Sequence, residues 1–306
     1  MFQVHQVARE DLAELKWGES QRPRLAVAEL FMFSNKPELN VKKAASVLSL
    51  VLLITGLILL VRPSKEITRD RIVPEMQPVS VLPDFASNPS VRGRKLSFFD
   101  YLEDYVLVAN SELQSKRESI IRILSSLSRG AEVSASDRLM LRETLDRYGV
   151  KTDDLLSQNT FDQLLLKVDQ VPVSLALAQA ANESAWGTSR FAVAGKNMFG
   201  QWCYREGCGM VPNEREGGAK HEVRSFNTIA ESVNAYLFNL NTNSFYEDFR
   251  LARAEMRLIG RGLNSFELAS HLNRYSERGD AYVDEIQTLI EQNFLTNRDH
   301  SSYEKL

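Results

Sequence analysis

Val171–Trp186 reads VPVSLALAQAANESAW, and the fold turns on how this stretch is read. Pro172 suits the first turn of a helix, where its missing N–H leaves no partner unserved. Val173, Ala176 and Ala180 recur at helical spacing, and Glu183 falls next on that stripe. Gln179 stands four residues before Glu183, so its amide projects from nearly the same side. Gly187 follows where a C-cap is expected. The spacing predicts a short buried helix that ends on a carboxylate, with Trp186 close by. The negative end of the helix dipole and partial burial both disfavour the charged form there, so the pKa of Glu183 should rise. A carboxyl protonated near neutral pH is what a general acid needs to protonate a leaving oxygen. The plainer alternative is a helix-end Glu in a surface ion pair, and periodicity alone does not separate the two.

On the N-terminal side, helical spacing runs from Ser97 through Phe98, Leu102, Tyr105, Val106, Leu113, Ile120, Ile121 and Leu124 to Arg129-Gly130. A second helix, capped by Ser136, should reach Tyr148 and stop at Gly149, and a third passes through Phe161, Leu164, Leu165 and Val168. On the C-terminal side the chain becomes Gly-rich. Asn197, Phe199 and Gly200 make a turn, and residues 201–226 hold short strand-like pieces, with alternation through His221–Phe226. A small β-hairpin lobe with its tip at 213–218 is expected. Thr228 and Glu231 have capping-box spacing before a helix faced by Ile229, Val233, Tyr236, Leu237 and Leu240. Further helices are expected near 246–258, after Ser265, and over about 281–294.

Upstream, residues 1–43 are polar and of mixed charge. Met32 opens a conventional lead into a membrane segment, which makes it a candidate for the true start. Residues 44–61, AASVLSLVLLITGLILLV, carry no charge. As a helix they would span about 27 Å, near the thickness of a bilayer core. No small-x-small cleavage site follows, so the expectation is an uncleaved transmembrane helix. Lys42 and Lys43 in front are balanced by Arg62, Lys65, Arg69 and Arg71 behind, so charge does not orient it. Residues 62–95, with Pro63, Pro74, Pro78, Pro83 and Pro89, read as a linker.

The 306 residues carry a net charge of −3, which gives no electrostatic reason to expect a nucleic-acid partner. The only cysteines are Cys203 and Cys208, and no His/Cys cluster has metal-ligand spacing. Glycine-rich nucleotide loops and the serine-hydrolase elbow are missing as motifs. No cofactor or metal is expected.

The block Gln179, Ala180, Glu183, Ser184, Trp186, Gly187, Ser189, followed by the turn Asn197, Phe199, Gly200, resembles the glucosaminidase family of peptidoglycan hydrolases. Asn243–Tyr246 is similar to that family's N-x-x-Y element, and Tyr275 with Tyr282 to its paired-tyrosine element, one residue longer here. The resemblance covers roughly 155–295, and its wording is most similar to the subgroup of bacterial Bax proteins. It implies a mainly α, α+β lysozyme-like fold, with a helical lobe, a small β-lobe and a glycan groove between. Preceded by the one transmembrane helix, residues 96–154 would be a helical scaffold extension, 155–295 the catalytic domain and 296–306 a tail.

The resemblance also implies cleavage of the β-1,4 bond after N-acetylglucosamine in peptidoglycan strands, with Glu183 as general acid and Tyr275 as a groove tyrosine. The second carboxylate falls by spacing on Glu214, with Glu216 and Glu222 as rivals. An inverting base would stand about 6.5–9.5 Å from the acid, whereas a retaining route would use the substrate's own N-acetyl group. Gln179, Trp186, Asn197, Phe199, Trp202, Glu222 and Tyr246 are the candidate substrate-binding residues, although large aromatics often fill cores instead. A cell-wall substrate would place the N-terminus inside, the transmembrane helix in the inner membrane, and residues 62–306 in the periplasm. A Cys203–Cys208 disulfide fits that oxidising compartment. A lytic transglycosylase, an amidase-type enzyme, or a non-catalytic glycan-binding protein are the alternatives.

Overall fold

The structure, a computed structural model, describes residues 82–213, 218 and 220–299. Helix α1 (Val91–Ser128) is 38 residues long, about 57 Å at the usual rise. Ser90 caps it by accepting from Gly93 N–H at 2.9 Å. Its length lets it serve two cores. Phe98, Phe99, Leu102 and Val106 sit in one cluster, and Ile120 and Ile123 in another. The second cluster is completed by α2 (Ala135–Tyr148) and α3 (Gln158–Lys167), which bring Leu141, Leu145, Phe161 and Leu164. Ser134, not Ser136, caps α2, because its hydroxyl reaches Asp137 N–H.

The first cluster surrounds α4 (Val173–Glu183), whose residues 173–181 are all buried. The largely small, apolar run allows α1 and α9 (Asp280–Gln292) to pack closely against it, and α6 (Ile229–Thr242) adds its apolar face to the same cluster. Truncating a leucine such as Leu177 there would cost about 2–5 kcal/mol. Entry to α4 is fixed by Asn110 of α1, which donates to Val171 C=O at 2.7 Å and accepts from Val171 N–H at 3.0 Å. Pro172 is the N-cap and offers no side-chain acceptor. Asp299 supplies it from the far end of the chain, accepting from Ser174 N–H at 2.9 Å and Ser174 Oγ at 2.5 Å. The residues from 296 to 299 therefore work as part of the domain, with Arg298 also paired to Glu103 and Asp100 of α1.

Below the helices, buried Asp169 faces Arg117, Arg253 and Arg257. Burial opposes its ionisation, but the guanidinium groups outweigh it and hold the pKa below the usual range. Arg117 donates to Leu165 and Val168 C=O and Arg253 to Leu166 C=O, closing the C-terminal end of α3.

After α5 (Arg190–Gly195) come β1 (Trp202–Cys203), β2 (Gly209–Met210) and β3 (Glu222–Arg224). The order is β1-β3-β2, both neighbours antiparallel to the central strand, with Trp202 opposite Val223 and Met210 opposite Val223 on the other side. The lobe is therefore a three-stranded sheet, not a simple hairpin: β1 and β2 are joined by the disulfide loop, and each pairs with β3. The expected capping box forms in a shifted version, its return bond going to the residue before the cap. Thr228 accepts from Glu231 N–H, while Glu231 reaches back to Asn227 N–H. Helices α7 (Glu247–Leu258), α8 (Ser265–Ala269) and α9 complete the domain, with Asn264 capping α8 instead of Ser265.

A further expectation about the fold is corrected. The expected transmembrane helix at 44–61 lies outside the described residues. Among the described residues no helix is long and apolar enough to cross a membrane. The longest, α1, carries charged residues along its length. The observed fold is a mainly helical domain with a small three-stranded sheet, and the preceding membrane span is withdrawn. The inner-membrane partner and the single-pass topology rested on that span and are withdrawn with it, as is the periplasmic placement that the cell-wall substrate gave to the residues behind it.

Candidate active site

Glu183 is the last residue of α4. The helix stops there because Ala185, Trp186 and Gly187 take φ of +51°, +59° and +76°. Ser184 fixes the turn, its hydroxyl donating to Ala180 C=O at 2.6 Å and accepting from Gly187 N–H at 2.8 Å. Gly187 is required twice over, since its φ is left-handed and a Cβ would stand 2.7 Å from the Phe85 ring. The helix ends on Glu183, as expected, and its C-cap is Ser184 rather than Gly187.

The Glu183 side chain is only partly exposed. Burial pushes its pKa up to about 7, against smaller opposing effects from a Tyr282 hydrogen bond and the Arg278 cation. Four tyrosines pack around it. Tyr236, Tyr275 and Tyr282 have pKa values well above the ordinary phenol, chiefly through burial, with the Glu183 charge adding to each. Tyr246 is raised in the same direction for the same first cause. All four therefore remain neutral hydroxyls at any working pH. Tyr275 stacks on Tyr282 at 5.5 Å and tilts against Tyr246 at 5.8 Å, while Tyr236 stacks on Phe199 at 3.9 Å.

Gln179, one turn before Glu183 and fully buried, links two of them. Its Oε1 accepts from Tyr236 Oη at 2.7 Å, and its Nε2 donates to Tyr282 Oη at 2.8 Å. Tyr282 in turn hydrogen-bonds Glu183. Tyr275 Oη donates to Phe199 C=O at 3.0 Å and so ties α9's approach to the 197–201 turn.

Beside this cluster opens a cleft of about 540 Å³. Its described wall includes Phe199, Gly200, Trp202, Tyr204, Arg224, Phe238, Phe245, Tyr246 and Tyr275. Gly200, with φ +64°, lies directly against the acid: a Cβ there would stand 3.0 Å from Glu183 Oε2. The volume suits a small-molecule or sugar-sized occupant. No acidic residue is part of that described wall.

The expected site residues divide into three groups. Glu183, Gln179, Phe199, Tyr246 and Tyr275 come together around the acid, and Trp202 lines the cleft with its ring stacked on His221 at 4.0 Å. Three others are engaged within the protein. Trp186 lies edge-on to Phe98 and Phe99 with Lys95 Nζ 4.7 Å over its ring. Asn197 donates to Gln201 and Arg224 C=O and accepts from Phe199 and Gln201 N–H, which uses both its amide hydrogens and both carbonyl lone pairs. Buried Glu222 accepts from Gly207 and Gly209 N–H at 3.0 and 2.8 Å, bracing the loop between the cysteines. Glu214 and its rival Glu216 lie outside the described residues.

Cys203 and Cys208 form a disulfide, as expected, with a Cα–Cα distance of 6.2 Å. Their sulfurs approach the Glu222 carboxylate closely, but a disulfide offers no thiolate, so the trio is no metal centre. The disulfide loop carries Tyr204 into the cleft wall. Sequence reading missed Tyr204, Arg224, Phe238 and Phe245 as cleft residues, and took Tyr236 as core only. The aromatics among them signalled only a ring at helical or strand spacing, which a core shares, and Arg224 only a charge on a strand-like piece.

Residues 159–295 match the family model of the glucosaminidases, described as mannosyl-glycoprotein endo-β-N-acetylglucosaminidase. The chain is also similar to Protein bax of Escherichia coli (strain K12), at 30% identity over 214 residues, which covers 70% of this chain and 75% of that protein. No solved structure matches.

Proposed function

The chain belongs to the glucosaminidase family, whose members are glycoside hydrolases, and from that premise we propose that it cleaves the β-1,4 bond after N-acetylglucosamine in peptidoglycan, with Glu183 as the general acid. One observation carries this reading: a carboxyl whose pKa burial raises to about 7 stands beside an aromatic cleft. A sugar laid in the cleft would offer its faces to Trp202, Tyr204 and Phe245, whose rings stack readily on apolar carbohydrate faces. The Glu183 proton passes to the bridging oxygen as the C–O bond breaks. The departing sugar leaves as a neutral alcohol, and positive charge develops at the anomeric carbon. General acid catalysis of this kind supplies about 10²–10⁴-fold.

Glu222 is occupied by two backbone N–H groups, which favours Glu214 or the substrate's own N-acetyl oxygen as the partner that meets the anomeric carbon. A base on Glu214 delivers water and inverts the centre, whereas the N-acetyl route retains it. A lytic transglycosylase, which needs the Glu183 acid but no second carboxylate and no attacking water, is the second reading that the products separate. The deciding experiment is digestion of purified peptidoglycan, with mass spectrometry of the products and the Glu183→Gln variant as control. New reducing N-acetylglucosamine ends are expected. Anhydro ends would assign the transglycosylase, free peptides an amidase, and products unchanged by Glu183→Gln would remove Glu183 from the chemistry.

A further inference from the structure

Phe238 is part of the cleft wall. That ring also lines a second, smaller pocket of about 130 Å³, together with Glu112, Leu113 and Lys116 of α1, Arg147 and Tyr148 of α2, and Asn234 of α6. The two cavities therefore share a wall. The side of α6 that bears Asn234, Phe238, Asn239 and Thr242 runs from one to the other, about 12 Å along the helix axis.

Phe238 is gripped at this junction. The Arg147 guanidinium lies 5.5 Å over its ring, and Tyr148 tilts against it at 5.5 Å. Arg147 sits in the last turn of α2, where the helix dipole favours a cation. Lys116 of α1 lines the same pocket and is half-buried, Arg147 is exposed, and one carboxylate, Glu112, lines the pocket beside these two cations. Tyr148, Leu113 and Leu237 give the pocket an apolar floor, which strengthens the pull of the cations on an anion seated there. Both cations come from outside the segment that matches the family model.

We infer that this pocket is an accessory subsite for a carboxylate borne by the glycan, seated by Lys116 and Arg147 while the sugar backbone lies along α6. The inference rests on the glycan-cleaving reading above. Two sources share the chemistry: the lactyl ether carboxylate of the alternate sugar, and a carboxylate of an attached peptide. A planar guanidinium and an ammonium on either side of one carboxylate suit both.

The test compares kcat/KM of the full chain on three soluble strands: peptide-free with the lactyl carboxylate intact, the same strand with that carboxylate reduced to an alcohol, and peptide-bearing. The wild type should prefer a carboxylate-bearing strand over the reduced strand by about tenfold, as two partly exposed ion pairs allow. The preference should lie in KM and weaken with salt. In the Lys116→Gln, Arg147→Gln double variant the ratio should collapse toward one. A preference already present without peptide assigns the lactyl carboxylate, and one seen only with peptide assigns the stem. No preference in the wild type, or a preference that the double variant keeps, overturns the subsite. Failure of the wild type to cleave any strand would instead sink the glycan reading itself.

Discussion

Replacing Glu183 by Gln should abolish activity and, above neutral pH, make the protein more stable. The carboxyl titrates at about 7 in the folded protein, against 4.5 for an ordinary glutamate. A group whose folded pKa is raised favours folding below its unfolded pKa, and that contribution is lost as pH climbs through the folded value. Relative to a neutral isostere, wild type therefore carries a growing penalty. From these two values the penalty is well under about 1 kcal/mol at pH 4.5, about 2 at pH 6, and about 3 above pH 8. For a domain of this size, about 3 kcal/mol moves Tm by roughly 6–12 °C. The amide keeps an acceptor for Tyr282, so any cost of the exchange is a constant offset, independent of pH. The assay is urea unfolding of both proteins at pH 4.5, 6, 7.5 and 9. Every other titrating group is common to the pair and cancels in the difference. A stability difference that stays flat across this range would show that Glu183 ionises normally, and would take with it the argument for a protonated acid near neutrality.

The other perturbations read neighbouring parts of the same design. Tyr282→Phe removes the hydrogen bond that holds the Glu183 pKa down, so the alkaline limb of the pH–activity profile should move to higher pH. The same change leaves Gln179 Nε2 buried without its partner, at a cost of about 1–3 kcal/mol in denaturant unfolding. Asp299→Ala strips α4 of its only side-chain N-cap and should cost about 1 kcal/mol, read as a fall in Tm of about 2–4 °C. The pH profile of the Asp299 variant should match wild type, because the cap lies at the opposite end of α4 from the acid.

What the sequence could reveal about this site follows from how each residue's role is decided. Helix α4 was legible because its small apolar stripe and Pro172 are local signals, and Glu183 was legible as the stripe's end. Its C-cap was not, since Gly187 matched one while the left-handed run already begins at Ala185. Asn197 and Trp186 were read as groove residues because a polar or aromatic side chain beside a catalytic motif invites it. Only the folded chain shows Asn197 fully engaged with backbone and Trp186 lying on α1. Tyr236 failed in the other direction: at a core position a tyrosine reads as a phenylalanine, and the destination of its hydroxyl depends on a helix more than fifty residues away.

That hydroxyl matters because the network has a direction. Ionised Glu183 can only accept, so Tyr282, with one phenolic hydrogen, must donate to it. The Tyr282 oxygen must then accept from the nitrogen end of Gln179, which turns the amide oxygen toward Tyr236. The order of donors is thus set by the carboxylate outward, and Tyr236 closes it as a donor. When Glu183 gains its proton, the carboxyl oxygen bonded to Tyr282 remains an acceptor, so the proton belongs on the other oxygen. A glutamine at 179 serves because it offers one donor and one acceptor on the same rigid group. A glutamate there would present two acceptors to Tyr282 and Tyr236, reverse the Tyr282 hydroxyl, and withdraw the donor that holds Glu183 in place.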